Sequence, residues 1–361
     1  MRNKLGILTF HNVENYGAFC QAYSLQQWLN NKGIDNEIIN YKNEKISKPW
    51  SIVAFKSKGP VRYILGLAYY IVRMFRIIKF NKARSLLKIS KAVSKYQINS
   101  QGYSGYIVGS DQVWNFNLTD SDTTYLLDFC QPGDLKFSYA ASFGFNDFNE
   151  KDKITYLKYL KQFRLIYVRE YESKIMLLKS GFNNVGYVMD PVFLHSKQEW
   201  LKTISNSKKI KKYILIYQVS YSKKLIQYAK KLKQFTSYSC EIIPFPLGGF
   251  IKSNINLTAG PFEWLKLIYN AQYVITDSFH GIAFCIIMNK PFKVILEGVP
   301  TRITSLLKTF DLSSHIINKA DIDTKISISH LDYNWQKVNE KIEEMKADSE
   351  KCLNEIIKNI V

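Results

Sequence analysis

The stretch AQYVITDSFHGIAFCIIMNKPF, residues 271–292, joins a β-branched run, a polar turn and an apolar run. The first run, residues 273–276, predicts a buried strand, and residues 282–288 predict a buried helix after the turn. Parallel sheets bind ligands outside the carboxyl ends of their strands. The first N–H groups of a helix favour anions. The stretch therefore predicts an anion site, in which His280 can act as an acid, a base or a phosphate partner.

The composition is that of a folded, basic protein. With 361 residues, 46% hydrophobic and 22% charged, the chain can form two domains and is not disordered. Its net charge of +20 favours anionic partners, although a solvated, lysine-rich surface would give the same charge. We expect no nucleic-acid partner, because the basic residues are spread along the chain without a recognised binding module.

Metal, disulfide and membrane-spanning classes are not favoured. The five cysteines lie far apart without a C-x-x-C pair, which indicates neither a zinc site nor a disulfide framework and favours a reducing compartment. Asp120-Ser121-Asp122 imitates the metal-binding D-x-D of other glycosyltransferases, but we expect no metal here. The chain shows no signal peptide, and no apolar run reaches the ~18 residues of a membrane span. We therefore expect a cytoplasmic protein.

Residues 42–99 form a long basic and aromatic segment, and residues 52–91 within it look mainly helical. The segment is interpreted as a helical excursion packed on its own domain, or as a basic amphipathic segment on an anionic membrane surface.

Strand and helix patterns alternate in both halves of the chain, which predicts an α/β fold with parallel sheets. The polar, lysine-rich residues 196–212 indicate a domain boundary. We therefore predict a Rossmann-like N-terminal domain over residues 1–200 with a basic helical insertion at about 50–95, and a second Rossmann-like domain over 210–330. Apolar residues at helical spacing predict a final helix over 331–361 that packs back. Short strands are also predicted at residues 125–129 and 136–140.

The sequence of the chain resembles that of the polysaccharide pyruvyl transferase family. The resemblance rests on six blocks in the family's order: GILTFHNVENYGAFCQAYSLQQWL (6–29), YIVGSDQVWN (106–115), SYAASFG (138–144), VRE (168–170), MDPVFL (189–194) and ITDSFHGIAFCIIMNKPF (275–292). It implies a GT-B-like fold, with two Rossmann-like domains facing across a cleft and a C-terminal crossing helix. It also implies transfer of pyruvate from phosphoenolpyruvate to a sugar as a ketal, with no cofactor besides this co-substrate.

The resemblance implies roles for particular residues. Ketal formation needs a general acid, a general base and positive charge over the phosphate. The implied catalytic residues are His280 and Asp111, although Asp111 could instead cap a helix. The implied donor-binding residues are Ser278, His280, Gly281, Arg302 and Arg169; the implied acceptor-binding residues are Asn15, Tyr16, Gly17, Ser110 and Trp114. Family members often carry Arg where this chain has Ser278, so Arg169 and Arg302 are expected to supply the cation.

Two other functions stay open. One is a GT-B glycosyltransferase that uses a sugar nucleotide in the same cleft. The other is a catalytically idle glycan- or lipid-binding protein, which the many polar residues at strand ends disfavour. The favoured prediction is pyruvyl transfer in capsule or exopolysaccharide synthesis. Its acceptor would be a sugar or a lipid-linked oligosaccharide, and the enzyme would contact the anionic inner face of the plasma membrane.

Overall fold

The computed structural model describes residues 4–47, 60–99, 102–204, 212–220, 222–243, 254–296, 298, 300–317 and 333–360. The chain divides into two compact units. The first unit contains residues 1–71, 81–194 and 344–361, and the second contains residues 72–80 and 195–343. Each unit is built around a parallel sheet, as the alternation of strand and helix patterns predicts.

The first unit has a seven-stranded sheet. Its strands are β1 (Leu5–Leu8), β2 (Asn36–Asn40), β3 (Ile89–Ala92), β4 (Gly105–Val108), β5 (Lys136–Ala141), β6 (Leu165–Val168) and β7 (Val185–Tyr187). They are ordered β3-β2-β1-β4-β5-β6-β7, and every pairing is parallel. The order reverses between β1 and β4. Ligands of open parallel sheets bind at such a switch point, beyond the carboxyl ends of the strands.

Helices connect these strands: α1 (Tyr16–Asn31), α2 (Glu44–Ser47), α3 (Pro60–Arg84), α4 (Phe116–Thr119), α5 (Glu150–Leu160) and α6 (Tyr171–Lys179). Short 3-10 helices cover Lys95–Gln97, Thr123–Leu126 and Pro191–Leu194. The aromatic core beneath the carboxyl edge includes Trp114 and Phe143, whose ring centroids lie 4.9 Å apart. This packing gives the edge a rigid base.

The second unit has a five-stranded sheet. Its strands are β8 (Tyr213–Tyr217), β9 (Ser239–Ile243), β10 (Asn254–Ile255), β11 (Tyr273–Thr276) and β12 (Phe292–Val294). They are ordered β10-β9-β8-β11-β12 with parallel pairings, so the order reverses between β8 and β11. The helices are α7 (Lys197–Lys202), α8 (Lys223–Thr236), α9 (Pro261–Asn270), α10 (Phe279–Ile287) and α11 (Thr301–Thr309), with a 3-10 helix at Ser313–His315.

The last helix, α12 (Trp335–Lys358), is the C-terminal helix that the apolar spacing predicts. Its residues up to 343 belong to the second unit and those from 344 to the first. Within the first unit, Trp28 donates its indole N–H to Glu350 at 3.1 Å, and the Tyr167 hydroxyl donates to Glu355 at 2.5 Å. Buried Leu353 completes the attachment of the helix. Among the described helices, none combines the length and apolarity needed to cross a membrane.

Two predictions of local structure were wrong. The short strand predicted at residues 125–129 is the end of the 3-10 helix Thr123–Leu126 and a turn, with Leu127 at φ +55°. The Asp122 side chain accepts a hydrogen bond from the backbone N–H of Thr124 at 2.9 Å, and such local bonds compete with strand formation. The helical interpretation of residues 52–91 holds for α3, but its last residues begin β3, which pairs with β2. Residues 52–59 lie outside the described part of the chain.

Candidate functional site

The turn that follows β11 begins helix α10 at the carboxyl edge of the second sheet. Ser278 is the N-cap of this helix, and its Oγ accepts a hydrogen bond from the backbone N–H of Gly281 at 3.2 Å. The N–H of Ser278 donates to Thr276 Oγ1 at 3.0 Å. The serine therefore satisfies one N–H group at the helix start, and its hydroxyl hydrogen can still be donated to an anion.

Asp277 holds the neighbouring loop in place. Its carboxylate accepts hydrogen bonds from the N–H of Val219 at 2.8 Å and from the N–H of Ser220 at 2.9 Å, and it also bonds the Ser220 hydroxyl. These bonds tie the loop after β8 to the end of β11, the two strands that flank the switch point. Asp277 thus fixes the shape of the edge at which α10 begins.

His280 and Gly281 lie in the first turn of α10. His280 is 6% exposed, and its ring meets the Phe279 ring edge-on with centroids 5.1 Å apart. A Cβ added to Gly281 would lie 2.9 Å from Thr276 Oγ1 and 3.0 Å from the Tyr217 ring. Glycine at this position therefore lets the helix start press against the strand ends, and this contact positions His280. The N–H of Gly281, which the sequence assigns to the donor, is already bonded by Ser278.

Gln218 is a residue that the sequence analysis missed. It follows β8 directly, and the register Tyr217↔Thr276 places it beside Asp277 at the switch point. Gln218 is 3% exposed, and within the described part of the chain neither side-chain amide atom has a hydrogen-bond partner. An unsatisfied buried amide costs about 1–3 kcal/mol, and a ligand that bonds the Gln218 amide would recover this cost. The sequence feature that could have indicated Gln218 is its position as a polar residue directly after an apolar strand.

Arg302, the second predicted donor cation, lies in the first turn of α11 and is half-buried. Helix α11 contacts α10, so Arg302 and His280 lie on neighbouring helices of the same unit. The role of Arg302 at the donor stays a prediction.

The edge of the first sheet carries a buried cluster of charged and polar side chains. Arg169 Nη1 lies 2.9 Å from Asp190 Oδ2, and Arg169 Nε lies 3.1 Å from Glu170 Oε1. Ser110 Oγ donates to the same Asp190 oxygen at 2.8 Å. Burial alone lowers the pKa of Arg169, but the carboxylates of Glu170 and Asp190 raise it above its usual value. Arg169 is therefore a permanent cation that two carboxylates of its own unit already contact, and its predicted contact with the donor stays a prediction.

Asp111 has a conformation that non-glycine residues seldom adopt. It lies at φ +83°, in the left-handed region, and Ala140 on the adjacent strand lies at φ +58°. The Asp111 carbonyl accepts from the N–H of Ser142 at 3.0 Å. Such outliers concentrate at functional sites because the surrounding structure must hold them there. The alternative reading of Asp111 as a helix cap is wrong for α4, whose N-cap is Asn115.

The structure places the predicted acceptor residues in different settings. Trp114 is fully buried and donates its indole N–H to the Tyr125 carbonyl at 2.8 Å, so it supports the edge from beneath and has no surface for a sugar. Tyr16 and Gly17 are buried in the first turn of α1. Asn15 is exposed, and its Oδ1 caps α1 by accepting from the N–H of Ala18 at 3.1 Å.

The first unit also contains a recess of about 270 Å³, including its open mouth. It lies beyond the ends of β1 and β2 and is lined by Thr9, Phe10, His11, Asn12, Val13, Tyr41, Lys42, Asn43, Ile46 and Tyr125. Burial lowers the pKa of His11, whose ring nitrogens lie 3.1 Å from the Thr9 carbonyl and 3.3 Å from Asn40 Oδ1. The two contacts orient the His11 ring, and its lowered pKa favours the neutral form. The loop pattern gave no reason to select it before the structure was known.

The two aspartates of Asp120-Ser121-Asp122, the sequence similar to a metal-binding D-x-D motif, form contacts within the first unit. Asp122 accepts hydrogen bonds from the Tyr41 hydroxyl at 2.7 Å and from Asn43 Nδ2 at 2.8 Å. Asp120 pairs with Lys45 at 2.9 Å. Within the described residues, no group of three or more His, Cys, Asp or Glu side chains could hold a metal ion.

The fold is similar to that of several solved enzymes. UDP-N-acetylglucosamine 2-epimerase from Rickettsia bellii superposes with a TM-score of 0.58 at 12% identity, covering 100% of this chain and 97% of that chain. The S. aureus MnaA–UDP structure gives 0.57 at 12% identity, with 100% and 98% covered. A glycosyltransferase from Rickettsia africae gives 0.52 at 13% identity, with 99% of each chain covered. At these identities the likeness shows the fold, which is the predicted GT-B-like α/β class.

Comparison of sequences identifies the family. No curated protein sequence matches the chain. The model of the family described as polysaccharide pyruvyl transferase matches residues 15–296. This range contains the Ser110–Asp111 edge, the Arg169 cluster and the turn at His280. Because the match covers well over half of the 361 residues, the chain belongs to the polysaccharide pyruvyl transferase family.

Proposed function

We propose that this protein transfers pyruvate from phosphoenolpyruvate to a sugar as a ketal, in the assembly of a bacterial capsule or exopolysaccharide. The observation that carries the proposal is that a member of this family has a histidine in the first turn of a helix, at the switch point of a parallel sheet. Both features favour an anionic ligand beside a group that can transfer a proton.

The second unit is proposed to hold the donor. Phosphoenolpyruvate carries a phosphate and a carboxylate, which require hydrogen-bond donors and positive charge. The start of α10, the Ser278 hydroxyl and Arg302 would supply them, and Gln218 adds an amide N–H at the same sheet edge. Gly281 contributes through its small size, since it brings the helix start against the strand ends.

The chemistry assigns a proton to each step. His280 in its protonated form would give a proton to the enol CH₂ while a sugar hydroxyl attacks C2, and Asp111 would accept the proton of that hydroxyl. Phosphate then leaves C2, and a second hydroxyl of the same sugar attacks C2 and gives its proton to His280, which the first step left neutral. The products are the ketal and inorganic phosphate. Positive charge from Arg302 would stabilise the departing phosphate.

The first unit is proposed to hold the acceptor, a sugar or a lipid-linked oligosaccharide. The exposed Asn15 and the backbone around Tyr16 and Gly17 would contact it, together with Ser110. Trp114 and Arg169 would act by holding this edge in shape, since both are buried and bonded within the unit. We propose no cofactor besides the co-substrate, and a cytoplasmic location, which the five free cysteines support.

The test supplies the purified protein with phosphoenolpyruvate and lipid-linked acceptors, and follows phosphate release together with mass increase of the acceptor. We expect His280→Ala to lower turnover by about 10²–10⁴-fold. His195→Ala is the matched control, because His195 lies at the start of the second unit and pairs with Glu199 at 3.9 Å. Full activity in His280→Ala would remove His280 from the chemistry. Nucleotide release from a sugar nucleotide without pyruvate transfer would instead identify a glycosyltransferase.

A further inference from the structure

Helix α3 displays a row of apolar side chains to solvent. This apolar stripe consists of Ile71, Met74, Phe75 and Ile78, whose exposed fractions are 60%, 48%, 58% and 59%. The spacing i, i+3, i+4, i+7 places all four on one face of the helix. Single exposed apolar residues are ordinary, but a continuous row of large ones marks an interaction surface.

The opposite face of α3 holds the helix to the protein. Phe80 and Ala83 are buried there, Arg73 is only 9% exposed, and Lys79 pairs with Glu263 at 3.0 Å. The helix therefore has a buried arginine on one side and exposed isoleucines on the other. Phe80 and Ala83 attach the helix to its own core, and the apolar stripe on the other face is separate from them.

The charge around the stripe selects the kind of partner. Residues 45–110 contain 13 Lys and Arg and no Asp or Glu, although Lys45, Lys79, Lys88 and Lys95 pair with carboxylates from other parts of the chain. Lys82 is exposed and lies one turn beyond Ile78 on the same face. An apolar stripe with an exposed lysine on its face, in a chain of net charge +20, complements an anionic lipid surface. It does not complement a protein surface of the same basic character, such as that of a second copy of this chain.

We propose that α3 lies in the interface of an anionic bilayer, with the apolar stripe among the upper acyl chains and Lys82 at the phosphate level. The stripe spans residues 71–78, about 10 Å along the axis, which suits shallow insertion parallel to the surface. This surface acts independently of pyruvyl transfer, and it would keep the enzyme close to an acceptor that is carried on a lipid.

Vesicle sedimentation of the full chain tests the proposal directly. The vesicles contain phosphatidylcholine alone, or phosphatidylcholine with about 30% phosphatidylglycerol. We expect partitioning onto the anionic vesicles at least 10-fold above that onto the neutral ones, decreasing with salt. The double variant Phe75→Ser/Ile78→Ser should lose at least 10-fold of this binding, and Lys82→Glu should lose a smaller part. Ile154→Ser is the matched control, because Ile154 is 77% exposed on α5 and stands alone.

Four outcomes would overturn the proposal. The double variant could bind anionic vesicles as well as the unaltered protein does, or the control could lose as much binding. Equal binding to both kinds of vesicle would remove the charge argument. If the unaltered protein is a dimer in analytical ultracentrifugation and Phe75→Ser dissociates it, then the stripe is covered by a second copy. Thermal unfolding of each variant checks that its fold is intact. Phosphate release is not used, so failure here leaves the proposed reaction untouched.

Discussion

Replacing Arg169 should destabilise the first unit more than neutralising either of its carboxylate partners. The side chains of Arg169, Glu170 and Asp190 are 1%, 2% and 0% exposed, and they carry one positive and two negative charges. Arg169→Met would leave two buried carboxylates side by side. Asp190→Asn would leave the arginine with one carboxylate, and the amide oxygen could still accept from Ser110. The net charge of the three groups would become −2 in the first variant and 0 in the second.

The expected magnitudes follow from burial. Removing one partner of a buried ion pair costs about 3–5 kcal/mol, because the remaining charge loses its compensation. We expect this cost for Arg169→Met and about 1–2 kcal/mol for Asp190→Asn, where one charged hydrogen bond becomes a neutral one. The double variant should cost about 1–3 kcal/mol less than the sum of the two single changes, since the residues are in direct contact.

Urea unfolding at neutral pH, followed by circular dichroism and fluorescence, measures these differences. Equal costs for the two single variants, or strict additivity in the double variant, would refute the conclusion that the buried charges of Arg169, Glu170 and Asp190 depend on one another. Kinetics separate this role from the predicted contact with the donor. Arg169→Met removes the guanidinium, so a purely structural cluster leaves KM for phosphoenolpyruvate unchanged in the fraction that remains folded, whereas a contact between Arg169 and the donor raises it.

Three further predictions concern the pH dependence of stability, the tight packing at Gly281 and the buried amide of Gln218. Burial and, to a smaller extent, the nearby Lys293 lower the pKa of His315 from 6.5 to about 4. Between these two pH values the unfolded chain binds a proton at this histidine and the folded chain does not. Unfolding free energy should therefore fall by about 1–2 kcal/mol as pH drops from 6.5 towards 4, and by less in His315→Asn, as urea titrations at several pH values will show. Gly281→Ala should cost about 1–3 kcal/mol in thermal unfolding and raise KM for phosphoenolpyruvate, because its Cβ would lie 2.9 Å from Thr276 Oγ1. Gln218→Leu should raise the free energy of unfolding by about 1 kcal/mol in the absence of donor while weakening donor binding; a loss of stability would show that the amide is bonded in the folded protein.

The local patterns of the sequence predicted the main elements because local chemistry produces them. The β-branched run before the turn forms β11, and Ser278 caps α10 as small polar residues do at a helix start. Strand β3 was not predicted, because a contact with a residue distant in the sequence produces it. Its residues follow a helix without a strong break, and they are extended because Ile89 pairs with Ile38, a partner about 50 residues away. Periodicity within a short window does not contain that contact.

The candidate site was predictable only in part. The strand–turn–helix pattern predicts that His280 lies in the first turn of a helix, and the resemblance to the family implies its role. Gln218 and His11 are different, because their importance depends on which strands become neighbours. The first follows β8 and the second follows β1, the strands at which the two sheet orders reverse. That order is a property of the whole fold, so these two polar residues could not be distinguished from other strand-end residues beforehand.

Ser278, where members of the family often carry arginine, has a structural role at the start of α10. The Ser278 hydroxyl accepts the N–H of Gly281, a bond that the side chain of an arginine, which has no acceptor, cannot make. Loss of such a cap costs about 1 kcal/mol, so a cation at this position weakens the helix start that it would serve. In this chain the turn keeps the cap, and Asp277 bonds the loop beside it. In the proposed reaction, positive charge for the phosphate would come from another element of the unit; Arg302 lies in the first turn of α11, a helix that packs on α10. The proposed donor site therefore combines a cap on one helix, which the structure shows, with a cation on the neighbouring helix, which Arg302→Ala tests by its effect on KM for phosphoenolpyruvate.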